Sequence, residues 1–314
     1  MGRSVAPLAA GSVSLRLYPH NELPASAIVE ELRAQARLAA ESGFDGVMTS
    51  EHHGGFAGYL PNPLQTAGWM LEAMPTGWAA PCPILLPLRP AALVAEETAW
   101  LAARFPGRVG LGVAAGALAG DFELMGVPMD ATAERFAAGL ETVATALTGR
   151  ATGVLAGDPA IRRCADEPVP MLTAAMGAGA ARRGAAHGVG LLFDSLTPPE
   201  RVRALTDVYH DHGGTCPCVL IRRVWVGTPP RDLVERQVDV YRGYASGAAQ
   251  AHWGGDELIG AIDGARVADR LAEIRDRAGA DALNLRVHVP GVSPAAAREQ
   301  IGRLGAEVLP AMRR

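Results

Sequence analysis

The sequence predicts an α/β fold, a (β/α)8 barrel of the TIM-barrel type. Its 314 residues contain eight short apolar segments, and longer amphipathic segments separate nearly all of them. Repeated strand–helix units imply parallel strands, because a parallel return needs a long connection. An open dinucleotide-binding sheet would need the motif GxGxxG directly after the first strand, where the chain has Tyr18-Pro19-His20-Asn21. The closed barrel is therefore the predicted architecture.

Each predicted strand is a short, mainly apolar run bounded by proline, glycine or polar residues. The first, Val13–Tyr18, alternates between apolar and polar residues and ends at Pro19. In a parallel barrel, active sites lie at the carboxyl ends of such strands. The other strands are predicted at Gly46–Thr49, Ile84–Leu88, Val109–Val113, Pro170–Ala174, Val189–Phe193, Val219–Val226 and Ala282–Val289.

The predicted helices carry apolar residues at spacings of three and four, which is the period of a helix with one buried face. The first, Ile28–Ala40, follows Pro24 and Ser26 and ends before Gly43. The others are predicted at Pro61–Met74, Ala91–Arg104, Ala131–Leu147, Ala178–His187, Pro199–His210, Asp232–Ala245, Ala265–Ala278 and Pro294–Leu309. We expect a single domain over residues 1–314, with insertions near 150–168 and 246–264 that form either lids or disordered loops over the barrel mouth.

Composition excludes several classes of function. All 29 basic residues are arginine, so a lysine Schiff base, a pyridoxal-phosphate anchor and a P-loop lysine are excluded. A net charge of −4 gives no electrostatic reason for a nucleic-acid or anionic-membrane partner. The sequence has no signal-peptide pattern, no apolar run long enough to cross a bilayer, and only four cysteines. These features predict a cytoplasmic protein with reduced thiols.

Glu51, His52 and His53 directly follow a predicted strand and are the candidate catalytic residues. At the carboxyl end of a barrel strand, two imidazoles and a carboxylate can supply a base, a proton relay or metal ligands. Neighbouring side chains on an extended segment point in opposite directions, so we expect His52 and His53 not to share a ligand. The alternative interpretation is that both histidines stabilise the loop.

The turn Met176-Gly177-Ala178-Gly179 joins a predicted strand to a predicted helix. Free amides at a helix N-terminus and the glycines that give access to them can bind a phosphate, with Arg182 and Arg183 nearby to add charge. The alternative is an ordinary tight turn with surface arginines. Separately, Cys82-Pro83 precedes a core strand, and an X-Pro bond is where a cis peptide is least costly.

His210, Asp211 and His212 lie close to Cys216 and Cys218, and all are ligand types that zinc uses. The CxC spacing differs from the usual CxxC, and the cluster lies between a helix end and a strand start. That position is on the face of a barrel that contributes stability. We therefore interpret the cluster as a helix C-terminal turn and predict no metal site.

These segments together resemble the bacterial luciferase-like flavin monooxygenase family, which includes F420-dependent oxidoreductases. The resemblance starts at residues 43–47, Gly-Phe-Asp-Gly-Val, and runs into the Glu-His-His segment. It covers about half of the chain without a long break and continues more loosely through residues 173–188. The further matching residues are Phe56, Gly58, Asn62, Pro63, Ile84, Leu85, Leu86, Pro87, Pro90, Glu96, Gly107, Arg108, Val109, Gly112, Gly116, Asp121, Phe122, Gly126, Met129, Asp130 and Arg135.

The resemblance implies a barrel with insertions, usually dimeric, that uses reduced FMN with oxygen or F420 for hydride transfer. His52 corresponds to the family's catalytic histidine, and Glu51 to an acid lining the flavin. Cys82 and Pro83 fall where the family places a cis bond beneath the flavin ring. The phosphate turn corresponds to residues 176–180, with Gly177 and Ala180 in place of hydroxyl residues.

The sequence departs from the luciferase pattern at the phosphate. Ala115 replaces an arginine and Ala114 a neighbouring cysteine, so Arg135, Arg182 or Arg183 would have to substitute. The primary hypothesis is a monooxygenase that acts on a small organic substrate with reduced FMN from a separate reductase. The alternatives are an F420-dependent oxidoreductase and a flavin-binding homologue without turnover.

We also expect a homodimer with the helix Pro61–Met74 at or near its interface, the alternative being that the loop after the helix covers its apolar surface. Trp69, Met70 and Leu71 give that helix more apolar surface than one face on a barrel can bury.

Overall fold

The structure is a computed structural model that describes residues 5–244, 253–254 and 258–313. Within these residues, ten strands pair in parallel. The strands are β1 Val13–Arg16, β2 Gly46–Thr49, β3 Trp78–Pro81, β4 Ile84–Leu85, β5 Leu111–Ala114, β6 Met171–Ala174, β7 Gly190–Phe193, β8 Cys218–Val226, β9 Leu258–Ala261 and β10 Ala282–Arg286.

Twelve helices are described around this sheet. They are α1 Ala25–Glu41, α2 Pro63–Ala73, α3 Ala91–Arg104, α4 Ala119–Leu124, α5 Thr132–Leu147, α6 Pro159–Arg163, α7 Ala178–His187, α8 Pro199–Asp211, α9 Arg231–Tyr244, α10 Gly264–Ala278, α11 Pro294–Arg303 and α12 Leu309–Met312. Short 3₁₀ turns cover 86–88, 129–131 and 153–157, and a π turn covers 304–308. None of the helices in the described part of the chain is long and apolar enough to cross a membrane.

The sheet curves into a nearly closed barrel, which confirms the predicted fold. The strand order is β3-β2-β1-β10-β8-β7-β6-β5-β4, and β9 pairs with β8 outside this path. The Ala79 amide donates to the Arg108 carbonyl, and the Gly110 amide donates to the Ala79 carbonyl, so β3 meets the chain just before β5. β3 and β4 are separated only by Cys82 and Pro83, so they count as one strand position of the barrel. With β9 outside the ring, the barrel has the eight strand positions of a (β/α)8 fold.

Two strands differ from the sequence prediction. Trp78–Pro81 is a barrel strand, although no strand was predicted between Gly46–Thr49 and Ile84–Leu88. Every residue of β3 is buried, so the segment has no alternating pattern. Leu258–Ala261 lies in the expected insertion at 246–264, but it pairs with the second half of β8. Residues 245–252 and 255–257 of that region lie outside the described residues.

The segment 150–168 does not form the expected lid. It connects the end of α5 to the start of β6, so it lies at the opposite end of the barrel from the strand carboxyl ends. Its short helix α6 packs on α3, where the Trp100 indole donates to the Asp158 carboxylate at 3.0 Å. The prediction of a lid here was wrong because composition does not indicate which end of a barrel an insertion extends.

The barrel interior is layered. An apolar cluster in the interior buries residues including Trp78, Leu172, Leu192 and Met48. The upper part, at the strand carboxyl ends, carries polar side chains from β1, β2 and β10. This layering places the chemically active groups at the mouth.

Candidate functional site

His52 and Asp121 form a close pair at the mouth of the barrel. His52 follows β2, and its amide donates to the Leu60 carbonyl at 3.2 Å. Asp121 lies on α4 after β5, with a side chain that is almost fully buried. One carboxylate oxygen lies 2.6 Å from His52 Nδ1, and the other accepts the His53 amide at 2.8 Å. The carboxylate therefore fixes both the position and the rotation of the imidazole.

The protonation of this pair follows from its geometry. Burial alone would raise the pKa of Asp121, but the hydrogen bonds from the His52 ring and the His53 amide outweigh it and hold the pKa below its usual value. An ionised carboxylate only accepts hydrogen bonds, so His52 Nδ1 carries the proton. Nε2 is then the ring nitrogen that can act as a base.

Aromatic rings pack around His52. The Phe56 ring centroid lies 4.8 Å from the imidazole centroid, and the Tyr59 ring meets it edge to face at 4.5 Å. Tyr18 contacts Tyr59 in turn, at 5.3 Å. These rings limit the access of water to the imidazole, which strengthens electrostatic interactions there.

Glu51 and His53 belong to a separate cluster on the other side of the strand. The Glu51 carboxylate accepts the Leu85 amide at 2.6 Å, the Arg89 guanidinium at 2.8 and 3.0 Å, and His53 Nε2 at 2.9 Å. The expectation that His52 and His53 point in opposite directions is confirmed. These contacts join the segment after β2 to β4 and to Arg89, which lies just before α3. The donors occupy the Glu51 carboxylate, so Glu51 does not belong to the His52 pair.

Asp121 is the site residue that was not singled out from the sequence, where it stood only among the matching residues. The available signal was an acid shortly after the end of the strand β5, on the same barrel end as His52. Asp121 and His52 are 69 positions apart in the sequence, so their contact becomes visible only in the folded barrel.

The Cys82–Pro83 bond is cis and lies between β3 and β4. The Cys82 carbonyl accepts the Arg16 guanidinium at 2.8 Å. Burial raises the pKa of the Cys82 thiol to about 11 despite the nearby arginine, so the thiol stays neutral at neutral pH. A Cβ at Gly112 would lie 2.1 Å from the Cys82 sulfur, so only glycine leaves room for this segment against β5.

The predicted phosphate turn lies beside the end of β5. Val113 pairs with Thr173 of β6, which places Ala114 and Ala115 at the same end of the barrel as residues 176–180. Helix α7 starts after Gly177 without a side-chain cap, and the Arg201 guanidinium donates to the Met176 carbonyl at 2.8 Å.

Among the three arginines expected near the phosphate turn, two have described contacts. Arg135 donates to the Pro87 carbonyl at 2.9 Å. The Arg183 guanidinium lies 5.8 Å from the centre of the Phe136 ring. Arg201, which was not predicted, contacts this turn through the Met176 carbonyl.

The histidines and cysteines near residue 210 lie in the turn that follows helix α8, as the sequence analysis predicts. His210 Nδ1 lies 2.9 Å from the Gly214 carbonyl, and His212 Nδ1 lies 2.8 Å from the Val208 carbonyl. The Cys216 sulfur contacts the Gly188 carbonyl at 3.1 Å. These are the contacts of a helix C-terminal turn.

Comparison with known proteins decides the family. The family model for luciferase-like monooxygenases matches residues 14–304. The chain belongs to this family.

Individual relatives of this luciferase-like protein are distant. Uncharacterized proteins of Mycobacterium tuberculosis and Mycobacterium bovis are 35% identical over 128 residues, which cover 39% of this chain and 44% of theirs. The chain thus spans less than half the length of the curated relatives that it matches.

Solved structures share the luciferase-like fold over nearly the whole chain. Monooxygenase RslO1 from Streptomyces bottropensis matches with a TM-score of 0.79 and 20% identity, over 95% of this chain and 99% of that one. The oxygenating constituent of 3,6-diketocamphane monooxygenase from Pseudomonas putida, in complex with FMN, matches with a TM-score of 0.76 and 15% identity over 96% and 98%. An F420-dependent secondary alcohol dehydrogenase with an F420-acetone adduct matches with a TM-score of 0.72 and 16% identity over 98% and 100%.

The start of α7 in this luciferase-like protein fits the phosphate of a flavin or of F420. The first amides of α7, those of Ala178 and Gly179, have no acceptor within the described residues, whereas the next two donate to the Gly177 carbonyl. A Cβ at Gly177 or Gly179 would meet no atom within 4 Å, so packing requires neither glycine. Together with Arg201, these amides fit a phosphate, since a helix N-terminus favours anions.

Proposed function

We propose that this luciferase-like oxidoreductase is a monooxygenase that uses reduced FMN and oxygen on a small organic substrate. The observation that carries the proposal is the His52–Asp121 pair, held at the barrel mouth next to the cis Cys82–Pro83 segment. The α7 amides and Arg201 would hold the phosphate, and the Cys82–Pro83 segment with Ala114 would support the ring. Reduced FMN supplies two electrons to O₂, so that one oxygen atom enters the substrate and the other leaves as water.

The chain's own part in this reaction is proton control and exclusion of water. His52 Nε2 accepts or returns a proton at the mouth, while Asp121 keeps the Nδ1 proton in place and stabilises the imidazolium that forms. Phe56, Tyr59 and Tyr18 keep the region around His52 apolar. A pair of this kind contributes typically ~10²–10⁴ in rate.

The second candidate is an F420-dependent hydride transfer, in which His52 would exchange a proton with the substrate oxygen. Its support is the composition of the turn at 176–180 and of Ala114 and Ala115, which together contain no hydroxyl and no arginine. A flavin phosphate would therefore be held here chiefly by backbone amides, and the same amides are compatible with a differently substituted cofactor.

The test is a binding titration of the purified protein with FMN and with F420, each oxidised and reduced, followed by measurement of oxygen uptake. The monooxygenase proposal expects saturable binding of reduced FMN and oxygen uptake that depends on the protein. Binding of F420 without binding of FMN would overturn it in favour of hydride transfer. Binding of FMN without turnover of either kind would point to a flavin-binding homologue.

A further inference from the structure

Two arginines lie side by side inside the barrel mouth. Arg16 is the last residue of β1 and Arg286 the last residue of β10, and the parallel register places them opposite each other. Their exposed fractions are 1% and 3%. Two cations on neighbouring strands repel each other, and burial weakens the screening by water.

Neutral groups accept the hydrogen bonds that the two guanidinium groups make. Arg16 donates to the Asn284 side chain at 2.7 Å, to the Cys82 carbonyl at 2.8 Å and to the Ser50 hydroxyl. It also lies 3.9 Å from the Met48 sulfur. All of these partners are uncharged.

Arg286 is held in the same way. It donates to the His288 carbonyl at 2.9 Å, to the Tyr241 hydroxyl at 3.1 Å and to the Gln237 side chain at 2.5 Å. It also lies 4.2 Å from the centre of the Tyr18 ring. Burial would lower the pKa of Arg286, but the surrounding tyrosines outweigh it and raise the pKa, so the group stays charged.

No carboxylate in the described residues lies within ion-pair distance of either guanidinium. The nearby buried acids are already occupied, Glu51 by Arg89 and Asp121 by His52. Buried charges are normally paired, since an uncompensated one costs several kcal/mol. Arg16 and Arg286 therefore carry a positive charge that no ion pair in the described residues balances, and support of the fold does not explain it.

We propose that Arg16 and Arg286 form an anion site and that the organic substrate is an aromatic or similarly planar carboxylate. Three of the five N–H groups of Arg286 are used, which leaves one on each terminal nitrogen without an acceptor in the described residues. A carboxylate can bind two such groups together. The rings of Tyr18, Tyr59 and Phe56, in contact with one another, provide the adjoining apolar surface.

The strand order separates this anion site from the phosphate turn. Going round the barrel, β6 lies three positions from β10 and four from β1, close to the opposite side. A phosphate at α7 therefore does not reach these arginines. The other possible source of an anion is the negatively charged ring edge of the reduced cofactor. The anion site is independent of the proposed function, and only the role of the carboxylate as the substrate rests on that function.

The experiment measures binding of benzoate and of benzamide, its neutral analogue, to the full chain by calorimetry at pH 7. Wild type, Arg286→Gln and Arg275→Gln are compared, because Arg275 is a surface arginine bonded only to Asp276 in the described chain. We expect benzoate to bind at least ~10-fold more tightly than benzamide, on the scale of charge-assisted hydrogen bonds. We expect Arg286→Gln, and not Arg275→Gln, to remove that preference.

Thermal melting shows whether Arg286→Gln is folded. If the variant is unfolded, the ratio of benzoate to benzamide affinity in wild type is the test. Equal affinities, or no benzoate binding, would overturn the proposal. Equal benzoate affinity in wild type and a folded Arg286→Gln overturns it too. A repeat in saturating FMN separates the sources: simultaneous binding supports a substrate site, whereas displacement assigns the anion to the cofactor ring and overturns it. Benzoate binding without any FMN binding would contradict the flavin proposal and leave the anion site intact.

Discussion

At the residue scale, Asp121 determines which nitrogen of His52 can act as a base. An ionised carboxylate 2.6 Å from Nδ1 holds a proton there and leaves only Nε2 for this role. His52→Ala should therefore lower turnover by roughly 10²-fold or more. The melting temperature should fall by several degrees, because the variant leaves the barrel core intact but removes a donor from the buried Asp121 carboxylate. Steady-state oxygen uptake together with a thermal melt checks both.

The matched control for this variant is His53→Ala. It removes a donor from the buried Glu51 carboxylate and leaves the His52 pair in place. We expect a loss of stability of about 1–3 kcal/mol with turnover largely retained. Normal turnover in His52→Ala, or loss of turnover in a folded His53→Ala, would show that the two histidines are assigned the wrong way round.

The lowered pKa of Asp121 gives a prediction about stability in acid. The carboxyl has a lower pKa in the folded protein than in the unfolded chain, where it is about 3.9. Its contribution is therefore present above pH 4 and is lost as pH falls through the folded value. Asp121→Asn should show a weaker loss of stability below pH 4 than wild type. Chemical denaturation between pH 3 and pH 7 tests this, and identical pH slopes would contradict it.

At the scale of elements, β5 can lie against the Cys82–Pro83 segment only because Gly112 has no side chain. In Gly112→Ala, the added Cβ would lie 2.1 Å from the Cys82 sulfur, so the segment must shift. We expect a destabilisation of about 1–3 kcal/mol and weaker FMN binding. Gly302→Ala, on α11 with no atom within 4 Å of its Cβ, should be neutral or slightly stabilising. Equal melting temperatures for the two variants would refute this account of Gly112.

Elements with a clear period could be predicted from the sequence, and those without one could not. The alternation of Val13–Tyr18 and the helical spacing of Ala131–Leu147 correspond to β1 and α5. In contrast, β3 is buried on every residue and carries no alternation. The same limit applies to the site. The position of His52 follows from one strand, whereas Asp121, Arg201 and the Arg16–Arg286 pair need the spatial neighbours that the closed barrel supplies.

At the scale of the whole molecule, the expected homodimer remains a prediction with a revised basis. Met70 and Leu71 are buried within the chain, so they do not contribute to a dimer surface. Trp69 on α2 and Leu93 and Trp100 on α3 are exposed, and we expect them to contribute to the contact with a partner copy. We expect a dimer at micromolar concentration in sedimentation, and a monomer for Trp69→Glu. A monomeric wild type would contradict this prediction.

The central claim is that the barrel binds reduced FMN and that His52 controls its reaction with oxygen. Its most direct test is stopped-flow mixing of protein-bound reduced FMN with oxygenated buffer, followed by absorbance. We predict that bound FMN reoxidises with a time course different from that of free FMN, and that His52→Ala changes this time course while reduced FMN still binds. Reoxidation at the rate of free FMN in both proteins, or no binding of reduced FMN, would contradict the claim.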